Sequence, residues 1–198
     1  MRPHLLSSAL LLAGALAAPA ASIAAPPERA AADATAVAFS FDGTPYVHRW
    51  SQKGQNEFTP PAQADLAKWQ DMVTVQLYDK VHTADQLAFI ANAVLVAYQK
   101  AGLIIRTNSL AATAARPAEH MVVAVLDDKG LREMVFARFR LVPEGGEALI
   151  YSHRVYGPKP DDTASAWFRE NDLPLEKAMM MWTDIPSVAA LRALPQSP

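Results

Sequence analysis

The chain has 198 residues, 51% of them apolar, with a formal charge of −2 and no cysteine. That balance carries no bias toward nucleic acid. The missing thiols exclude a disulfide framework, cysteine metal sites, thiol catalysis and a lipid-bearing cysteine behind a leader.

Met1-Arg2-Pro3-His4 precedes an apolar run from Leu5 to Ala18. A basic start followed by a short apolar stretch predicts a secretory signal peptide. The run falls short of the roughly 20 residues that span a bilayer. Ser22-Ile23-Ala24 offers small residues at the positions a signal peptidase reads. Residues 1–24 are therefore expected to be removed after Ala24, leaving a periplasmic or secreted chain without a membrane span. Residues 25–36 contain Ala, Pro and charge but no large apolar side chain, and read as a flexible leader. Residues 37–185 are expected to form one domain, and 186–198 a tail with a short helix.

Val37, Phe39 and Phe41 alternate as in a strand, and Asp42-Gly43 turns the chain. Strands follow over Tyr46–Trp50 and Glu57–Thr59, a short helix over Ala62–Lys68, and a strand over Met72–Tyr78. Thr83-Ala84-Asp85-Gln86 is a capping box. Leu87, Ile90, Ala91, Val94 and Tyr98 recur at helical spacing behind it. Phe89, Leu95 and Val96 widen that stripe, which predicts burial on more than one side. Gly102 is expected to end the helix in a left-handed conformation. Strands are predicted over Leu103–Thr107, Met121–Leu126, Glu133–Val142 and Ala148–Tyr156, the last three as an antiparallel meander. Thr163–Glu170 and a second piece from Asp172, with Pro174 in its first turn, are predicted helices. A last short helix starts near Pro186. Strands, a long helix, more strands and then helices indicate an α+β fold: a mostly antiparallel sheet with a long buried helix and C-terminal helices packed on it.

The candidate ligand-binding residues are Arg138, Arg140 and Arg154. The Pro143–Gly146 turn is expected to pair Arg140 with Ile150, Arg138 with Ser152 and Phe136 with Arg154. Three arginines would then line one sheet face. Guanidinium groups grip carboxylate and phosphate in a fork, which suits an acidic protein, an anionic lipid or a small anion. The same arginines, paired with nearby carboxylates or solvated, would be no more than surface.

His48, His82, His120 and His153 show no metal-ligand spacing, although His48 and His153 could meet across the sheet. Met179-Met180-Met181 suggests copper, but neighbours on a helix diverge by about 100°, so core packing is the simpler reading. Trp50, Trp69, Trp167 and Trp182 read as core anchors, with a groove lining as the alternative. The eight glycines form no phosphate loop or nucleophile elbow. Ser152 and His153 are strand neighbours that point to opposite faces. No catalytic residue, metal site or cofactor is assigned.

The strings Tyr46-Val47-His48-Arg49-Trp50, Gly54-Gln55, Glu57-Phe58-Thr59-Pro60 and Trp69-Gln70-Asp71-Met72-Val73-Thr74 resemble a family of small exported proteins of Gram-negative bacteria. Arg116-Pro117-Ala118-Glu119-His120 and Tyr151-Ser152-His153-Arg154-Val155-Tyr156-Gly157 extend the likeness over most of the mature chain. The family brings no assigned activity, so no functional residue is carried over. The element order also resembles the PsbP-like α/β/α sandwich, whose members are mostly binding or assembly factors. The expectation is an exported, non-enzymatic binding or assembly module. The alternatives are a hydrolase with a site built from separated residues, such as His48, His120 or His153 with a carboxylate, and a copper-binding protein.

Overall fold

The computed structural model describes residues 37–198 apart from Lys129. The expected signal peptide and leader, residues 1–36, lie outside the described residues. Eight strands form one sheet: β1 (Val37–Phe41), β2 (Thr44–Gln52), β3 (Gln55–Thr59), β4 (Asp71–Tyr78), β5 (Gly102–Leu110), β6 (Glu119–Asp128), β7 (Leu131–Val142) and β8 (Gly145–Tyr156). Their order is β1-β2-β3-β4-β8-β7-β6-β5, and every pairing is antiparallel. The helices are α1 (Ala84–Ala101), α2 (Pro160–Met181) and α3 (Val188–Arg192). The fold is α+β.

Alternation along the central strands explains two helical layers. Met134 and Phe136 of β7 join Val73, Leu149 and Tyr151 beneath α2, with Leu175 and Met179 of that helix. Val135, Ala137 and Phe139 point the other way and pack with Leu87, Ala91, Val94 and Tyr98 of α1. β6, β7 and β8 thus supply both cores, as expected for a sheet covered on two sides. A large side chain so buried contributes about 1.5–3 kcal/mol of transfer free energy.

Local chemistry sets the element ends. Asp42 and Gly43 take φ of 48° and 75°, the two positive values a tight two-residue hairpin needs. The α1 capping box forms: the Thr83 hydroxyl accepts from the Gln86 N–H at 3.2 Å, and the Thr83 N–H donates to Gln86 Oε1 at 3.2 Å. Gly102 departs from expectation. Its φ of 176° is extended, not left-handed. Glycine is required there because β5 starts at once against β6, and a Cβ would lie 2.1 Å from the Val125 carbonyl oxygen.

Two further predictions are corrected. Residues 61–70 form turns, with no helix. Side chains there satisfy the backbone outside a helix: Gln63 Oε1 accepts from the N–H groups of Gln70 and Asp71, both at 2.7 Å, and Asp65 Oδ1 from that of Ala67 at 2.9 Å. The two predicted C-terminal pieces are one helix that runs through Pro174. Arg106 of β5 donates to Asp172 at 2.6 Å and to Glu176 at 2.7 Å, gripping α2 on both sides of the proline. That staple offsets the backbone hydrogen bond a proline cannot make.

Burial on α1 is one-sided. Leu87, Ala91, Val94 and Tyr98 are covered, but Phe89 is 73% exposed and Val96 47%. Among the described residues no helix is long and apolar enough to cross a membrane.

Candidate functional site

The β7–β8 register overturns the expected arginine face. Arg140 pairs with Glu147, Arg138 with Leu149, and Arg154 with Glu133. The strands join through a two-residue turn at Pro143-Glu144, three residues tighter in register than expected. An odd slip exchanges the faces of a strand. Arg138 and Arg140 therefore lie together under α2, while Arg154 lies on the α1 side.

All three are already engaged. Arg138 grips Glu119 with both arms of its fork, Nε to Oε2 at 2.8 Å and Nη2 to Oε1 at 3.0 Å. Its Nη1 donates to the carbonyls of Met179 at 2.8 Å and Trp182 at 3.3 Å. It thereby satisfies carbonyls left open at the C-terminal end of α2 and places a cation at the negative end of the helix dipole. Arg140 donates to Glu147 at 2.7 Å, and Glu147 is almost wholly buried. Burial pushes the Glu147 carboxyl up despite Arg140 beside it.

Arg154 donates to Glu133 at 2.8 Å, and its guanidinium carbon sits 3.8 Å above the Trp69 ring. Glu57 is also buried near this cation. Burial raises its carboxyl, against the pull of the Gln55 hydrogen bond and of Arg154, while Glu133 pushes the same way as burial. A folded state with a raised carboxyl takes its proton before the unfolded chain does. It therefore gains stability as pH falls through the raised value, until both states are protonated below the ordinary one. Glu57→Gln is accordingly expected to stabilise the protein at neutral pH, with the advantage shrinking to nothing in acid. Urea unfolding at the two pH values reads this directly; a variant less stable than the parent at neutral pH would contradict it.

The histidines do not meet. His48 pairs with Phe58 on β3, whereas His153 pairs with Asp71 on β4, two strands away from β2. His48 Nε2 lies 2.8 Å from Ser51 Oγ, which suggests a nucleophile and its base. The proton direction argues otherwise. Ser51 gives its only proton to Asn56 Oδ1 at 2.7 Å, and the Asn56 amide nitrogen faces the carbonyls of Gly54 and Val75. His48 Nε2 must therefore donate to Ser51, and cannot remove its proton. Burial lowers the His48 pKa, against a backbone hydrogen bond at Trp50 that raises it. His120 Nδ1 lies 2.9 Å from Ser109 Oγ, and its Nε2 is buried with no hydrogen-bond partner among the described residues. Burial lowers its pKa too.

The sequence reading missed Asp71. Its Oδ1 accepts from His153 Nδ1 at 2.7 Å and from the Tyr151 hydroxyl at 2.8 Å, and its Oδ2 from Gln63 at 3.0 Å. Burial would raise this carboxyl; the hydrogen bonds from His153, Gln63 and Tyr151 prevail and hold it below the ordinary aspartate value. A carboxylate on Nδ1 fixes the tautomer and leaves Nε2 as the basic atom, the arrangement of a general base or a metal ligand. Trp167 of α2 stacks on this ring at 4.1 Å and 5°. Among the described residues no other side chain hydrogen-bonds His153, and no group of three or more His, Cys, Asp or Glu converges. The three methionines diverge: Met179 is buried, Met180 half-buried and Met181 exposed. Trp69 and Trp182 are core residues, whereas Trp50 and Trp167 are half-buried.

The fold also leaves some large apolar side chains outward. Of the seven large apolar side chains exposed among the described residues, four are Phe89, Val96, Leu103 and Ile105, all on α1 and the strand that follows it. That strand, β5, ends the sheet and is paired, among the described residues, only with β6.

No family model and no curated protein matches the chain. Among solved structures it is similar to the Ran-binding protein Mog1p of Saccharomyces cerevisiae, at 10% identity over 73% of this chain and 92% of that one, with a TM-score of 0.37. A likeness so slight transfers neither fold nor function.

Proposed function

We propose that the protein is an exported, non-enzymatic binding module that docks another protein on the outward face of α1 and the free edge of β5. The observation that carries this is four exposed apolar side chains on two consecutive elements, Phe89 and Val96 on α1 and Leu103 and Ile105 on the edge strand, with Phe89 73% and Leu103 64% exposed. Large apolar side chains left exposed point to an interaction surface, and the open side of an edge strand offers backbone hydrogen bonds. The arginines that suggested an anionic ligand are occupied by Glu119, Glu147 and Glu133, so recognition falls to apolar contact. Export rests on the predicted signal peptide and on the likeness to exported proteins. Helical layers on both sides of the sheet support the likeness to the PsbP-like sandwich.

The test places a photo-crosslinking residue at Phe89, Leu103 or Ile105 in the full-length chain in the cell. Leu173 on α2, 69% exposed, is the control position. Adducts of a defined mass are expected from the three positions and not from Leu173, on a chain that begins at Ala25. No adduct, equal adducts from Leu173, or a chain retaining Met1 would overturn the corresponding part of the proposal. A second reading, a hydrolase with His153 as base, has the Asp71–His153 geometry in its favour. Ester hydrolysis by the purified chain, abolished in His153→Gln, would select it instead.

A further inference from the structure

We propose that the protein forms a two-fold homodimer through α1, the two helices running antiparallel with their outward faces in contact. This rests on the docking reading above and names the partner of its helical half.

The argument starts from the helical wheel. At about 100° per residue, Phe89 and Val96 point within about 20° of each other, almost opposite the stripe buried against the sheet. Asp85 lies near the same line one turn before Phe89, and Lys100 one turn after Val96. Both are exposed, and neither has a salt-bridge partner among the described residues. The outward line therefore reads acid, aromatic, aliphatic, base.

This order is complementary to itself when reversed. Asp85 and Lys100 are equally far from the midpoint between Asn92 and Ala93, and so are Phe89 and Val96. A two-fold axis through that midpoint sets Asp85 against Lys100 of the copy at both ends. It places Phe89 against Val96 of the copy at two positions between them. Asn92 and Ala93 straddle the axis, where their small size allows close approach. This is an isologous contact, in which each patch is its own partner. The antiparallel arrangement also sets the positive end of each helix dipole beside the negative end of the other. A parallel pair would place Asp85 on Asp85 and Lys100 on Lys100, so the charges select the antiparallel form.

The face is small. A standard interface engages about 20–30 residues a side, so one helix face implies a weak dimer that assembles with concentration.

Sedimentation velocity of the mature chain from about 10 µM to about 1 mM, the range of weak contacts, tests this. A concentration-dependent shift from monomer to dimer is expected, and Phe89→Glu should remain monomeric throughout. Asp85→Lys or Lys100→Glu alone should weaken the dimer by at least about tenfold, because each sets like charges opposite one another. The double variant should recover the parent constant, its two ion pairs re-formed with signs exchanged. Because the chain lacks cysteine, Ala93→Cys should cross-link two copies under mild oxidant, and Leu173→Cys should not. All these positions are at least partly exposed, and circular dichroism confirms that each variant is folded. A chain that stays monomeric, or a double variant as weak as the singles, would overturn the dimer. Hetero-adducts at Phe89 alongside a monomeric chain would leave the docking reading standing; no adduct of any kind would remove both.

Discussion

Arg138→Met is expected to destabilise the fold by about 3–5 kcal/mol at neutral pH, as removing one partner of a buried ion pair does. Arg138 is 6% exposed and Glu119 8%, so water cannot replace the lost guanidinium. Methionine fills much of the space but leaves two distinct debts. One is the Glu119 carboxylate, buried without its fork. The other is the pair of carbonyls, Met179 and Trp182, at the end of α2. Urea unfolding followed by tryptophan fluorescence gives the total. Adding Glu119→Leu removes the carboxylate part and should recover a portion of the loss, while the carbonyl part remains. Hydrogen exchange at the last turn of α2 should quicken in both variants. A loss under about 1 kcal/mol, within the range of an exposed pair, would mean that Arg138 does not hold the helix down.

Arg138 also shows where sequence reading stops. The strand that carries it was legible, because hydrophobic alternation sets period and face within a strand. Its partner across β8 was not, because register depends on whether the turn spans two residues or more. The missing signal was charge. Glu133, Arg140, Glu147 and Arg154 stand among apolar residues in strands that are largely buried, and buried positions require that such groups pair. The two-residue turn at Pro143-Glu144 sets Arg140 opposite Glu147 and Glu133 opposite Arg154 at once; a wider turn does neither. Cross-strand charge pairing would have picked the right register.

Other gaps have the same cause. Asp71 heads β4, and nothing near it in sequence announces Tyr151 and His153, about 80 residues away; only the β4–β8 pairing brings them together. Residues 62–68 carry helix formers, but Gln63 finds better partners in Gln70 and Asp71 than a helix would give it. Conversely, the cap and stripe of α1 were plain because both are local. Its apolar outer face was visible too, as Phe89 and Val96. What the sequence could not say is that α1 packs on the sheet by one side only, which turns those residues from core into surface.

Arg154→Met separates buried charge from buried backbone. At neutral pH its expected cost is again about 3–5 kcal/mol. Methionine can still lie over Trp69, but Glu133 loses its cation, and Glu57 loses one of the two influences that keep it ionised. The deficit is therefore mostly a cost of negative charge. Glu57 already sits above the ordinary carboxylate range through burial. In the variant the folded state takes up protons still earlier than the unfolded chain, so the deficit relative to the parent shrinks as pH falls toward the unfolded value. Near pH 4.5 about 1–2 kcal/mol should remain, the worth of the lost hydrogen bond and the ring contact. Comparing each variant with the parent at the same pH cancels the parent's own titrations, including the acid-side loss from Asp71, whose lowered value favours folding only above it. Arg138→Met should behave differently, because the carbonyls of Met179 and Trp182 do not titrate and stay orphaned at either pH. Urea midpoints for both variants at about pH 7.5 and pH 4.5 decide the matter. Equal deficits for Arg154→Met at both values would show that its role is packing against Trp69, with the neighbouring carboxylates of no consequence.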